Sequence, residues 1–172
     1  PFKVMVVGSI PTEITINLEY IMQTFLPYKS FKESLKSLDY RRLGKQRVEA
    51  MQILNVLLGR TKTKGWVNHP IVRMWKGYEN ALKQYHNLCI TEWINQGYNN
   101  NMKYEVIEGD IVYPRWLGND LLHSSHRANL LRKDEGFYFK FMWNENSESP
   151  YAWFDTDKKQ WYLQHVGTGI RE

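Results

Sequence analysis

Leu38-Asp39-Tyr40-Arg41-Arg42-Leu43-Gly44-Lys45-Gln46-Arg47-Val48-Glu49-Ala50 reads as the start of an amphipathic helix against which the rest of the chain has to pack. Leu43, Ala50, Ile53, Leu54, Leu57 and Leu58 recur at helical spacing, so one side should be buried and the other should meet water. Asp39 is the expected N-cap. Arg42, Gln46 and Glu49 follow at i, i+4 and i+7 and share a stripe, with Lys45 one turn before Glu49. Taken alone, such a face is ordinarily solvated, with Lys45 and Glu49 pairing along the helix. A functional reading therefore needs support from the remainder of the chain.

Charge supplies part of it. The chain of 172 residues carries a formal net charge of +5, a size and balance that fit one domain with a basic surface. Arg41, Arg42, Lys45, Arg47, Arg60, Lys62 and Lys64 gather in one region against a single acid, Glu49, the footprint expected of contacts to a polyanion. Seven Trp and eleven Tyr can fill a core or stack on flat ligands, and core packing is the ordinary use. The single cysteine, Cys89, excludes an internal disulfide and argues against a thiolate zinc site. No apolar run is long enough to span a bilayer, and the first residues lack the pattern of a secretory leader, which points to a cytoplasmic home without a membrane partner.

The expected architecture is mainly α, a compact helical single domain with a short extended N-terminal segment and a C-terminal hairpin. Residues 1–21 read as an N-terminal extension, with Phe2, Val4, Val6 and Val7 suggesting a short strand, and residues 22–172 as the helical domain. Met22 to Pro27 should be extended, followed by a short helix through Phe31, Leu35 and Leu38. The basic helix ends near Gly59. Further helices are expected from Pro70 through Trp75, from Tyr78 to a stop at Gly97, and from a cap at Asn119 or Asp120 to about Lys133. Residues 104–112 are readable as a strand pair or as an irregular crossing. Tyr151, Trp153 and Phe154, then Asp155-Thr156-Asp157, then Trp161, Tyr162 and Leu163 describe a hairpin.

Among constellations, His123 and His126 at i and i+3, with His69, raise a metal site, but no matching carboxylate or thiolate accompanies them, and no metal is assigned. Ser124, Ser125, His126, Arg127, Arg132 and Lys133 are better suited to hydrogen-bonding phosphates. His69 to Tyr78 mixes cations and aromatics, Arg73 included, in a way that serves equally for stacking or for packing. No phosphate loop or acyl-transfer triad is present.

Several motifs in order carry a resemblance: Phe25-Leu26-Pro27; Leu38-Asp39 with Arg42 to Ala50; His69-Pro70 with Met74-Trp75 and Gly77-Tyr78; Trp93 with Gly97-Tyr98; Trp116-Leu117-Gly118; and His123 with Ser125-His126-Arg127 and Leu130 to Asp134. Together, over roughly Met22 to Trp153, they resemble the pyrimidine dimer DNA glycosylase family of the phage endonuclease V type. The resemblance implies a compact helical enzyme that excises a damaged base from double-stranded DNA. It also implies a terminal α-amine as nucleophile, forming an imine and so allowing AP-lyase strand cleavage, with a helix-borne glutamate assisting. Glu49 matches that glutamate, and a positioned carboxylate can serve the proton transfers of base loss and sugar opening. An α-amine of ordinary pKa, about 7.7–8.0, is partly neutral at physiological pH and able to attack carbon.

The family's opening falls near Met22, whereas 21 residues precede it here, so the amine is left to alternatives: removal of the extension, Pro1 itself, Lys45, or water without a lyase step. The expected catalytic residues are Glu49 and Pro1. Expected DNA contacts are Arg41, Arg42, Lys45, Arg47, His69, Arg73, His126, Arg127, Arg132 and Lys133, with no metal or organic cofactor and no obligatory protein partner. Two rival readings remain: a non-catalytic nucleic-acid-binding or virion-associated module on the same scaffold, and a metal-dependent nuclease using His123 and His126.

Overall fold

The computed structural model describes residues 4–6, 22–62 and 64–166, and side chains throughout except at residues 4–6. Among the described residues, six α-helices carry the fold: α1 (Phe31–Ser37), α2 (Tyr40–Leu57), α3 (Pro70–Trp75), α4 (Glu79–Asn95), α5 (Asp120–Lys133) and α6 (Glu135–Tyr138). A 3-10 turn (Phe139–Phe141) follows α6, and the strands are β1 (Val4–Val6), β2 (Tyr151–Asp155) and β3 (Gln160–Gln164). The expected mainly helical architecture with a C-terminal hairpin is what forms. β2 and β3 pair antiparallel, Trp153 opposite Tyr162, and β1 adds antiparallel to the other edge of β3, Met5 opposite Leu163. Of the expected N-terminal strand, Phe2 and Val7 lie outside the described residues.

The helix starts follow from local chemistry. Ser30 caps α1 and Asn119 caps α5 through side-chain oxygens, and His69 caps α3 just ahead of Pro70. Asp39 caps α2 by accepting from Arg41 N at 3.0 Å and Arg42 N at 3.1 Å, and Tyr138 OH donates to its second oxygen at 2.6 Å. The first turn of α2 is thereby tied to the end of α6. α5 ends in Arg132 and Lys133, which suits the negative end of its dipole.

The core lies between α2 and α4, with α1, α3, α5 and the hairpin closing it. Trp75 stands edge-on to Trp116 at 4.9 Å, and Phe31 edge-on to Tyr85 at 5.4 Å, the arrangement that ring quadrupoles favour. Cys89 is fully buried in α4. Gly44 of α2 admits Trp93 of α4: a Cβ there would lie 3.1 Å from the indole, so a larger side chain would push the two helices apart.

Two stretches without regular structure are held by side chains. Residues 22–27 form a buried thread between α2 and α5, considered below. Residues 98–113 form neither helix nor strand, which resolves the open alternative over residues 104–112 in favour of an irregular crossing. α4 grips this strap from positions 80, 83 and 87. Asn80 Nδ2 donates to Glu108 O and Asp110 O, and Lys83 Nζ donates to Val106 O. Asn87 pairs with both backbone groups of Glu105, donating to its O at 2.9 Å and accepting from its N at 2.7 Å. Arg60 then closes a two-pronged ion pair with the Glu105 carboxylate. Among the described residues, no helix is long and apolar enough to cross a membrane.

Candidate active site

Gln46 organises the site. It is buried, and its amide makes four bonds: Nε2 donates to Glu49 Oε2 at 2.9 Å and Gln23 O at 3.0 Å, while Oε1 accepts from Phe25 N at 2.8 Å and Tyr85 OH at 2.6 Å. Both amide groups are used, so the side chain cannot flip without losing the whole set. The result is a fixed register between the thread at Gln23 to Phe25 and the carboxylate of Glu49, one turn further along α2.

The thread is held from α5 as well. His126 Nδ1 accepts from Leu26 N at 2.8 Å, His123 Nδ1 bonds Leu26 O at 2.8 Å, and Arg127 Nη1 donates to Pro27 O at 2.8 Å. Because His123 Nε2 accepts from Gly118 N at 3.0 Å, both of its ring nitrogens are used, with Nδ1 as the donor. Burial pushes the His126 imidazole down to about 3, with His123 and Arg127 adding to the shift, and His123 is lowered for the same first reason. His126 is therefore neutral, as its acceptor role at Leu26 requires.

Glu49 is only 3% exposed, yet it opens into a cavity of about 240 Å³ lined also by Phe25, Arg41, Arg42, Lys45, Gln46 and Lys133. Arg41 and Lys45 are exposed. Arg42 reaches back to Asp39 Oδ2 at 3.3 Å and across to Lys133 O at 3.5 Å, which joins the start of α2 to the end of α5. The Lys133 ammonium lies 6.0 Å from the Phe25 ring. Partial removal from water lowers its pKa, and the cations Arg42, Arg132 and Lys45 add to the lowering, while Glu49 opposes it. An anionic group entering this cavity meets the cations Arg41, Arg42, Lys45 and Lys133 together with the Glu49 carboxylate.

The other sequence candidates lie elsewhere. Arg47 sits on the opposite flank of α2, with its guanidinium 4.1 Å over Trp93 and bonded to Asn100 Oδ1. His69 is buried at the cap of α3, edge-on to Trp153, and burial lowers it to about 4. Arg73 lies 4.0 Å from Asp155. Arg127 pairs with Glu145 at 2.5 Å, and Arg132 donates to Ser147 O and Ser149 O, tying α5 to the segment before β2. Arg127 and Arg132, chosen from sequence for phosphate contact, donate to internal backbone and side-chain groups, and His126 is buried with Nδ1 on Leu26 N and Nε2 without a hydrogen-bond partner among the described residues. The described residues hold no group of three or more His, Cys, Asp or Glu arranged around a metal position. Sequence reasoning placed Gln46 on the Glu49 stripe without assigning it a part. The signal was available, since an amide one turn before a buried carboxylate is in position to bond it.

A carboxylate in a pocket lined by four cations suits a polyanionic substrate, and the family comparison specifies the class of protein. Residues 22–106 match the family profile described as pyrimidine dimer DNA glycosylase, and the chain belongs to that family. It is accordingly an enzyme of base excision DNA repair, in a family of glycosylases and AP lyases, and DNA is its substrate. Comparison with curated proteins and with solved structures returned no match.

Proposed function

We infer that Glu49 is the acid/base group of base excision and that its cavity receives the sugar–base bond of a damaged nucleotide in duplex DNA. The observation that carries this reading is the opening of a nearly buried carboxylate into a pocket walled by Arg41, Arg42, Lys45 and Lys133. Phosphates on either side of the target draw toward Arg41, Lys45 and Lys133, while Arg42, braced by Asp39, keeps the wall in place. A cavity of about 240 Å³ is sized for a sugar and its glycosidic bond rather than for a length of duplex, so the nucleotide leaves the stack to enter.

Excision through an amine replaces the C1′–N bond to the base by a C1′–N bond to the enzyme. The base departs with the electron pair and takes up a proton, and the amine gives one up. Protonation of the ring oxygen then opens the sugar to an imine, and loss of a C2′ proton expels the 3′ phosphate. Glu49 is the carboxylate available for these transfers. Among the described residues, Lys45 and Lys133 line the cavity and carry amines that answer for the nucleophile; Pro1, expected from the sequence, lies outside the described residues. No DNA contact at the cavity is assigned to Arg47, His69, Arg73, His126, Arg127 or Arg132.

The test incubates the protein with ultraviolet-irradiated and abasic duplexes in the presence of borohydride. Release of base with a trapped protein–DNA adduct supports imine chemistry, and peptide mapping of the adduct identifies the amine. Release without trapping supports hydrolysis by water. Glu49→Gln should lower excision by about 10²- to 10⁴-fold while DNA affinity is retained; undiminished excision removes Glu49 from the chemistry.

A further inference from the structure

The flank of α2 opposite the Glu49 cavity carries an aromatic array that base excision does not account for. Tyr40, Gly44 and Arg47 follow at i, i+4 and i+7 along one side of the helix. Trp93 closes on Gly44, Tyr98 stacks on Trp93 at 4.3 Å and 27°, and Arg47 covers the indole at 4.1 Å. Trp93 Nε1 donates to Asn99 O at 2.8 Å, and Gly97, at φ +90, turns the chain so that Tyr98 lies back over the indole. Tyr98 is thus a rigidly backed ring that still shows 39% of its surface.

Tyr40 faces it from the first turn of α2 and is 53% exposed. The two ring centres are 6.3 Å apart and the planes 31° from parallel. That is neither the close stack of Trp93 on Tyr98 nor an edge-on contact. Bases follow one another on a strand at about 3.4 Å, so a base sandwiched between two rings needs them about 6.8 Å apart. To admit a base, the Tyr40 ring, exposed and at the start of the helix, has to swing away from the backed ring of Tyr98 until the two faces stand that far apart. Arg41 Nε donates to Tyr40 OH at 3.2 Å, and Arg41 also lines the Glu49 cavity. One cation therefore borders both sites.

We propose that Tyr40 and Tyr98 form an aromatic clamp that takes up an unstacked nucleobase of the DNA substrate while Arg41 engages the adjoining phosphate. The proposal rests on the reading of the Glu49 pocket as the excision site only for its placement: DNA lying over the solvent-facing ridge of α2 would touch the cavity on one flank and the clamp on the other. Ring stacking is tolerant of base identity, so the clamp recognises the unpaired state rather than a sequence. It would hold open a duplex whose pairing the lesion has weakened.

The test uses the full chain and a duplex with a single unpaired 2-aminopurine, with the fully paired duplex of the same length as reference. Wild type should quench the 2-aminopurine fluorescence and bind the unpaired duplex more tightly. Tyr40→Leu should weaken that binding by about tenfold and abolish the quench, with the slope of affinity against salt unchanged, because stacking releases no counterions. Tyr40→Trp should restore both, and affinity for the paired duplex should stay near that of wild type. Tyr98→Leu should act like Tyr40→Leu; if its altered backing unfolds the chain, the exposed Tyr40 carries the test alone. Equal binding and equal quenching by wild type and Tyr40→Leu overturn the clamp. Excision lost in Glu49→Gln with the quench retained leaves the clamp standing, and excision retained in Glu49→Gln fails the pocket without touching the clamp.

Discussion

Replacing Gln46 by Met keeps the volume at that position and deletes both halves of the amide. Phe25 N and Gln23 O, both within the buried thread, lose the partners they have at 2.8 and 3.0 Å, and Glu49 loses a donor at 2.9 Å. Tyr85 OH is less affected, because its one hydrogen can turn from Gln46 to Phe25 O, 3.1 Å away. A buried backbone group deprived of its partner costs about 1–3 kcal/mol, so the two together cost about 2–6 kcal/mol out of a total stability of about 5–15 kcal/mol. At about 2–4 °C per kcal/mol for a chain of this size, melting should fall by about 4–24 °C. Gln46→Glu separates the two functions of the amide. It keeps an acceptor for Phe25 N and Tyr85 OH but sets a second carboxyl against Glu49, so it should melt higher than Gln46→Met yet excise poorly. Thermal melts followed by circular dichroism, paired with single-turnover base release, make the measurement. A Gln46→Met protein melting within about 2 °C of the parent would refute the reasoning.

Two further outcomes are expected. Lys45→Gln should weaken binding to all duplexes alike and reduce the slope of log affinity against log salt by about 1, as loss of one phosphate contact does; an unchanged slope in a salt titration places Lys45 away from the backbone. Stability should fall as pH drops from about 6.5 toward about 3, because an unfolded imidazole takes a proton in that window while buried His126 does not, so the unfolded chain binds more protons there. His69, lowered to about 4, acts in the same direction. For His126 the loss between pH 6.5 and 5 is about 2 kcal/mol, readable as a lower urea midpoint at pH 5; a midpoint that stays level or rises toward acid contradicts it.

The helices were legible because their signals are local. Asp39 before a run of helical period, Pro70 behind His69 and Asn119 before Asp120 each declare a start that the structure keeps, and Tyr151 to Leu163 alternates as a hairpin must. α6 and the 3-10 turn after it were missed, since Glu135–Tyr138 is too short for a period to emerge and Phe137 to Phe141 reads as a general aromatic excess. The cations around Glu49 could be collected from α2, but the wall formed by Lys133 joins residues far apart in the chain. His126, Arg127 and Arg132 resembled phosphate ligands because side-chain type does not record direction. Their partners Leu26, Pro27 and Ser147 are backbone oxygens and amides, which carry no signature in the sequence.

The strap from residue 98 to 113 has its path written on another element. Asn80, Lys83 and Asn87 of α4 bond mostly to its peptide groups, so the strap's side chains other than Tyr98, Asn100, Glu105, Ile111 and Tyr113 are largely at liberty to change, while the helix that carries it is not. Drift should therefore accumulate along the outer surface of this crossing without altering its course, and an altered course should trace to a substitution on the helix beneath. A graft of foreign residues into the strap would follow the same route, whereas exchanging the two asparagines would unlace it.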